Sequence, residues 1–272
     1  MLHLLRTEWL KLKNYPGFWW IMGITVLSYP SINFMFYNIY KQNTANSKTA
    51  AQMLKMLIGN PFEFPEVFRT TAFASSLFVI IPAILVIMLI TNEYTYKTNR
   101  QNVIDGWSRN EFLVAKFLNV VIISLIVIAL YVIVTLSIGF STTGSDVKDK
   151  FQLVHYIGLF SLQTFAQLSF AFLLGLLIKR AFIALGAFIF YKIIVENIGA
   201  ELLNRYVHAD TGRFLPTESS DLLTPVPAFL GRLDPKVYDH ALSLINQQVF
   251  VTIGYVLIFW ALVFWIYKKR DL

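Results

Sequence analysis

The polar residues inside apolar runs, and in the one long polar stretch between two such runs, are where this sequence could do chemistry. Lys192 and Glu196 stand in the run AFIALGAFIFYKIIVENIG, spaced i,i+4. That spacing puts both on one helix face, where opposite charges can neutralise each other at membrane depth. Two roles follow. One is a structural pair, with Lys192 reaching towards the headgroups; the other is a polar patch on a transport path or at a seam between two such chains. Gln163 and Gln167 are also i,i+4, and suit hydrogen bonds between helices better than ligand contact. The third group is NEYTYKTNRQNVIDGWSRNEFLVAK, residues 92–116, between two apolar runs. Its Arg100, Asp105 and Arg109 can pair with charges on a docked protein, and Tyr94, Tyr96 and Trp107 can fill a groove. The plainer reading is an interfacial connection anchored at headgroups. Its 25 residues exceed what a link between adjacent antiparallel spans needs, which favours docking.

Other chemistries find no support. There is no cysteine, which removes disulfides, thiol catalysis and Cys-based metal sites. No G-x-x-x-x-G-K-[ST] loop is present to cradle nucleotide. His3, His155, His208 and His240 show no H-E-x-x-H spacing, and there is no G-x-S-x-G. An integral membrane enzyme is therefore disfavoured, and no cofactor or metal is expected on this chain.

These residues must be positioned by helices in lipid. The chain is 56% hydrophobic and 14% charged over 272 residues, with a mean hydropathy of +0.58. That is too much apolar surface for one soluble core. Six apolar runs are long enough to cross a membrane as helices: Gly17–Tyr37, Thr71–Ile90, Phe117–Phe140, Leu153–Ile178, Ala181–Gly199 and Val249–Tyr267. The expected fold is thus an all-α integral membrane protein with six transmembrane helices. The segments between runs alternate between two sides. One side holds twelve Lys and Arg against five acids; the other holds ten of each. The positive-inside rule places the basic side, and both termini with it, in the cytoplasm. Charge spread beside the spans in this way is anchoring, and excludes nucleic acid as a partner.

The N-terminal residues 1–16 read as an amphipathic interfacial helix, with Leu4, Leu5, Trp9 and Leu12 on one side and Arg6, Glu8 and Lys13 away from it. It serves as a topology anchor or as part of a gate. Residues 200–248 form the largest outer segment; its stretch DLLTPVPAFLG is apolar enough to dip into the outer leaflet. No repeat or linker divides the chain, so 1–272 is one domain.

In this architecture the sequence resembles the permease subunits of ABC-2-type ABC transporters. The likeness lies in the amphipathic start with Glu8, Trp9, Lys11 and Lys13, six spans, a tight Lys179–Arg180 turn between spans four and five, and a large outer segment before span six. Locally it lies in Glu93 after span two, then a polar helix-like run, then Ser108–Arg109 and Lys116 entering span three. Tyr96–Lys97 stands where the family often has Gly-Thr, and Gly106–Trp107 where it has proline. The resemblance implies a permease dimer, homo- or heteromeric, in a bacterial cytoplasmic membrane. Each copy would pair with a separate ATPase that carries ATP and Mg. It implies a coupling helix within 92–111, with Glu93, Tyr94, Arg100, Asp105, Trp107 and Arg109 at the ATPase interface. The export cargo implied by the aromatic and aliphatic spans is amphiphilic or lipid-like. A membrane scaffold or sensor docking another cytoplasmic protein is the alternative.

Overall fold

The computed structural model describes residues 2–45, 60–98, 101, 104, 106–144, 149–207, 210–227, 231 and 234–269. Among them the chain is helical, with no strand. In chain order the helices are α1 (Leu2–Lys13), α2 (Pro16–Ala45), α3 (Val67–Ser76), α4 (Ile80–Thr95), α5 (Arg109–Thr142), α6 (His155–Ile178), α7 (Ala181–Tyr206), α8 (Pro216–Asp221) and α9 (Pro235–Lys269). A 3₁₀ turn, Thr211–Phe214, precedes α8.

Local chemistry explains the boundaries. Pro16 sits at the first position of α2, where its missing N–H costs nothing. Ser108 and Glu111 form a reciprocal capping box that starts α5: the Ser108 hydroxyl accepts the Glu111 N–H, and the Glu111 carboxylate accepts the Ser108 N–H at 2.8 Å. Lys179 closes α6 in the left-handed region, with φ 61°, and its N–H returns to the Gly175 carbonyl at 3.0 Å. That single turn lets α7 begin at Ala181, the tight connection expected at Lys179–Arg180.

Four helices, α5, α6, α7 and α9, are long and apolar enough to cross a membrane, and a fifth span arises if α3 and α4 count as one. Those two meet at a bend of 46°, so the run expected at Thr71–Ile90 is broken. The cause is Pro82, which has no N–H to return to the Phe78 carbonyl; that carbonyl takes the Ile81 N–H in a tighter turn instead. The first expected run lies within the 30-residue α2, where Ser28, Tyr29, Pro30, Ser31 and Asn33 dilute the apolar content below that of the other four.

The ends of the polar segments are absorbed into helices. Asn92–Thr95 finish α4 and Arg109–Lys116 open α5, so the long 92–116 segment shortens to a connection of 96–108. Its length therefore no longer argues for docking. Likewise 200–206 belong to α7 and 235–248 to α9, leaving 207–234 between them.

Helix α6 runs through the middle, against α3, α4, α5, α7, α8 and α9. It approaches α4 tightly at Gly175, where an added Cβ would fall 2.5 Å from Ile90 Cγ2. At Gly158 of the same helix a Cβ meets nothing within 4 Å. The two glycines should respond oppositely to alanine in thermal melts of the solubilised protein. Gly175→Ala is expected to destabilise by about 1 kcal/mol through overpacking, and Gly158→Ala to stabilise by about 0.5 kcal/mol through lost backbone entropy in the unfolded chain. Equal responses would mean the α4–α6 contact is not this tight.

Candidate functional site

Two polar clusters stand out, one at an end of the bundle and one within it. The first end, here the basal end, gathers α1, the 96–108 connection, the Lys179 turn and the end of α9. Lys11 lies over the Trp107 ring at 5.8 Å and Lys179 over the Tyr94 ring at 5.0 Å. Arg109 donates to the Lys268 carbonyl at 2.7 Å.

At its centre is a buried ion network. Lys116, 3% exposed, places its Nζ 2.6 Å from Glu8 Oε2 and also contacts Glu93 Oε1. Asn119 donates to the same Glu8 oxygen at 2.6 Å. Lys11 Nζ stands 3.2 Å from both Glu8 and Glu93, and the Thr98 hydroxyl donates to Glu93. Two carboxylates and two ammonium groups balance, and the added hydrogen bonds offset the cost of taking them out of water. Helices α1, α4 and α5 are thereby fastened at one point. A cavity of about 150 Å³ adjoins the network, lined by Glu8, Lys11, Leu12, Tyr15, Glu93 and Lys116 among others.

This corrects two expectations. Glu93 is 5% exposed and paired inside the protein, so it is not a surface contact for a docked partner. On α1 the inward face is Glu8 with Leu12, one turn apart, while Trp9 is 46% exposed beside Leu10. Glu8 turns inward because Lys116 and Asn119 receive it there. Of the other handle residues, Tyr94, Trp107 and Arg109 are half-buried against their own chain, while Arg100 and Asp105 lie outside the described residues. Among the described residues, the exposed large apolar side chains of the handle are Tyr96, 70%, and Ile104, 80%.

The second cluster joins all four polar residues expected within the spans, but through other partners. Gln163 and Gln167 of α6 donate to the Asp221 carboxylate at 2.9 and 2.6 Å. Lys192 donates to Gln167 Oε1 at 2.7 Å and lies 3.3 Å from Asp221. Thr224 donates to Gln163 Oε1 at 2.7 Å. Glu196 accepts the backbone N–H groups of Thr217 and Glu218 at 2.6 and 2.9 Å, capping the start of α8. Lys192 and Glu196 therefore do not pair with each other. The reason is tertiary: Lys192 is taken by Gln167 and Asp221, and Glu196 by the backbone N–H groups that open α8. The stretch Tyr191–Val195 that carries Lys192 is π-helical, with the Glu196 N–H bonded to the Tyr191 carbonyl five residues back.

The glutamines thus hold the segment before α9 rather than a neighbouring long helix. Gln167 lies about halfway along the 24-residue α6, roughly 17 Å from its basal end at about 1.5 Å per residue. Segment 211–224 consequently re-enters the bundle well inside the thickness that its flanking helices span. Thr252 and Tyr255 of α9 hold it from the other side, donating to the carbonyls of Ser219 at 3.2 Å and Phe214 at 2.6 Å.

Sequence reasoning missed Glu8, Lys116, Asn119 and Asp221 as partners. Their spacings from the residues they meet, 108 residues from Glu8 to Lys116 and 54 from Gln167 to Asp221, carry no local periodic signal. At the end opposite the basal one, Arg69 is buried between the rings of Tyr156 and Tyr238, and hydrogen-bonds the Tyr238 hydroxyl.

Comparison with curated proteins gives no match to the chain. Residues 59–272, which hold every member of both clusters except Glu8 and Lys11, match the family described as "Protein of unknown function (DUF2705)". That match covers most of the sequence, and the chain belongs to this family.

Proposed function

We propose that this protein is the transmembrane subunit of an ATP-driven exporter in a bacterial cytoplasmic membrane, with ATP and Mg bound by a separate ATPase chain. In this reading α2 and the bent α3–α4 pair join the four long apolar helices as six spans. The basal end faces the cytoplasm, and a second permease completes the dimer. The observation that carries it is the ion network. Glu93, at the start of the 96–108 handle, is tied through Lys116 and Lys11 to Glu8 of the interfacial helix. A push on the handle therefore reaches α1, α4 and α5 together, as rigid-body coupling to a cytoplasmic motor requires.

The docking surface in this reading is centred on the exposed apolar side chains of the handle, Tyr96 and Ile104, rather than on Glu93. An exposed apolar side chain in a polar segment, here on the helical residue Ile104, is a typical interface anchor. Ile104→Asp is expected to reduce co-purification of the ATPase encoded beside this chain at least tenfold, with unchanged yield of the permease. Undiminished co-purification together with ATP-dependent transport would remove this handle from the docking role. The scaffold or sensor reading uses the same handle with a different partner. It gains if the neighbouring ATP-binding protein does not associate at all.

A further inference from the structure

The cavity beside the ion network has a polar floor, apolar walls and an open mouth. Its floor is Glu8, Glu93 and Lys116, which are 1, 5 and 3% exposed. Leu12, Tyr15 and Leu89 line the sides. Tyr96, 70% exposed, lines the mouth, and it also belongs to the exposed apolar surface of the handle. The cavity thus opens onto the surface that the docking reading gives to a partner.

The lining decides what fits. Two carboxylates and two ammonium groups already balance, so the floor offers no net charge to hold a free ion. Hydrogen-bonding capacity is left over instead. Glu93 accepts from Lys11, Lys116 and Thr98, and Glu8 from Lys11, Lys116 and Asn119. A carboxylate accepts about four hydrogen bonds, so among the described residues each keeps one place. Lys116 gives protons to both carboxylates and has a further N–H. A hydroxyl, which donates and accepts at once, suits such a floor. An acyl chain does not, because it would cover these polar atoms without bonding them. The cavity volume of about 150 Å³ is the space that one benzene-sized ring takes, and the Tyr15 and Tyr96 rings offer it aromatic walls.

We propose that this cavity is a socket for one phenol ring, the side chain of a tyrosine that the cytoplasmic ATPase inserts on docking. The ring lies among Tyr15, Leu89 and Tyr96, and its hydroxyl meets Glu93 and Lys116. The ATPase as the source of the ring rests on the export reading; recognition of the ring is a property of this chain alone. Glu93 and Lys116 tie α4 and α5 to Glu8 of α1, so a ring seated on them lets the partner grip the joint itself as well as the handle.

The test uses the full chain in detergent micelles and N-acetyl-tyrosinamide, a water-soluble form of the tyrosine side chain, as the probe. Binding is read by saturation-transfer NMR with empty micelles subtracted, and compared with N-acetyl-phenylalaninamide and N-acetyl-leucinamide. The tyrosine probe is expected to bind about fivefold more tightly than the phenylalanine probe, as one net hydrogen bond gives. The leucine probe should bind more weakly than either. Leu89→Trp, which fills the cavity, is expected to abolish binding of the tyrosine probe, and the volume-conserving Leu89→Met to retain it. Tyr96→Ala, at the exposed mouth, gives a second variant that leaves the core intact and should weaken binding several-fold. A tyrosine probe that binds no better than the leucine probe, or that Tyr96→Ala leaves unaffected, overturns the proposal. With the neighbouring ATPase docked, the tyrosine probe is expected to lose at least tenfold in affinity. An ATPase that does not associate, or a probe that binds the complex undiminished, overturns the ATPase as the source of the ring. Failure of the export reading is a separate result: the ATPase would exclude the probe, yet drive no transport on adding ATP.

Discussion

Lys116→Met is expected to be the most damaging single substitution outside the glycines and prolines, lowering stability by about 3–5 kcal/mol. Lys116 is 3% exposed and is the ammonium group that both Glu8 and Glu93 share. Removing it strands two carboxylates in a site with one remaining cation, the partly exposed Lys11. The loss should be visible as reduced folded yield in detergent extracts and a lower melting temperature. Neutralising the carboxylates as well, with Glu8→Gln and Glu93→Gln, should recover most of it. Amides keep the hydrogen bonds to Asn119 and Thr98 without leaving charge unpaired. If the single variant melts with the parent, the network contributes nothing to stability and cannot be the rigid joint that coupling needs. If the triple variant folds but no longer links ATP hydrolysis to transport, the charges matter beyond holding the helices together.

How far the sequence alone reveals this molecule depends on the range over which its signals act. Apolar runs and their flanking punctuation are local, and they locate α6 within two residues and one end each of α5, α7 and α9. Those three helices run on past the other end of the apolar run by eight, seven and fourteen residues. The Lys179–Arg180 turn and the Ser108 start of α5 are local in the same sense. The bend before α4 was available in principle, since Pro82 stands inside the apolar run, but a hydropathy window averages over it. The candidate sites are different. Glu8 reads as a surface residue of an amphipathic helix until Lys116 is known to lie beneath it. The charges of the handle read as docking contacts until Glu93 is seen to be spoken for inside the protein. The four polar residues within the spans were recognisable as a group because charges and amides are costly in lipid. Their partners were not, because Asp221 comes from a segment that sequence places outside the spans and the fold packs against the middle of α6.

Lys192 and Glu196 are the sharpest case, because their i,i+4 spacing suggests a pairing that partners from other elements pre-empt. Lys192 contacts Asp221 and Gln167, while Glu196 caps α8 through two backbone N–H groups. Lys192→Met is therefore expected to destabilise by about 2 kcal/mol, less than Lys116→Met because the Lys192–Asp221 pair retains some solvent and Asp221 keeps two amide donors. The second-site response discriminates between the two geometries. Asp221→Asn removes the stranded carboxylate and should restore most of the lost folded yield and melting temperature. Glu196→Leu should not, and should add its own loss, since it uncaps α8 and leaves the Thr217 and Glu218 N–H groups without their acceptor. Rescue by Glu196→Leu and not by Asp221→Asn would mean that Lys192 and Glu196 pair across an ordinary helical turn. The segment before α9 would then have no ionic hold on α7, and the mid-bundle cluster would have to be rebuilt without it.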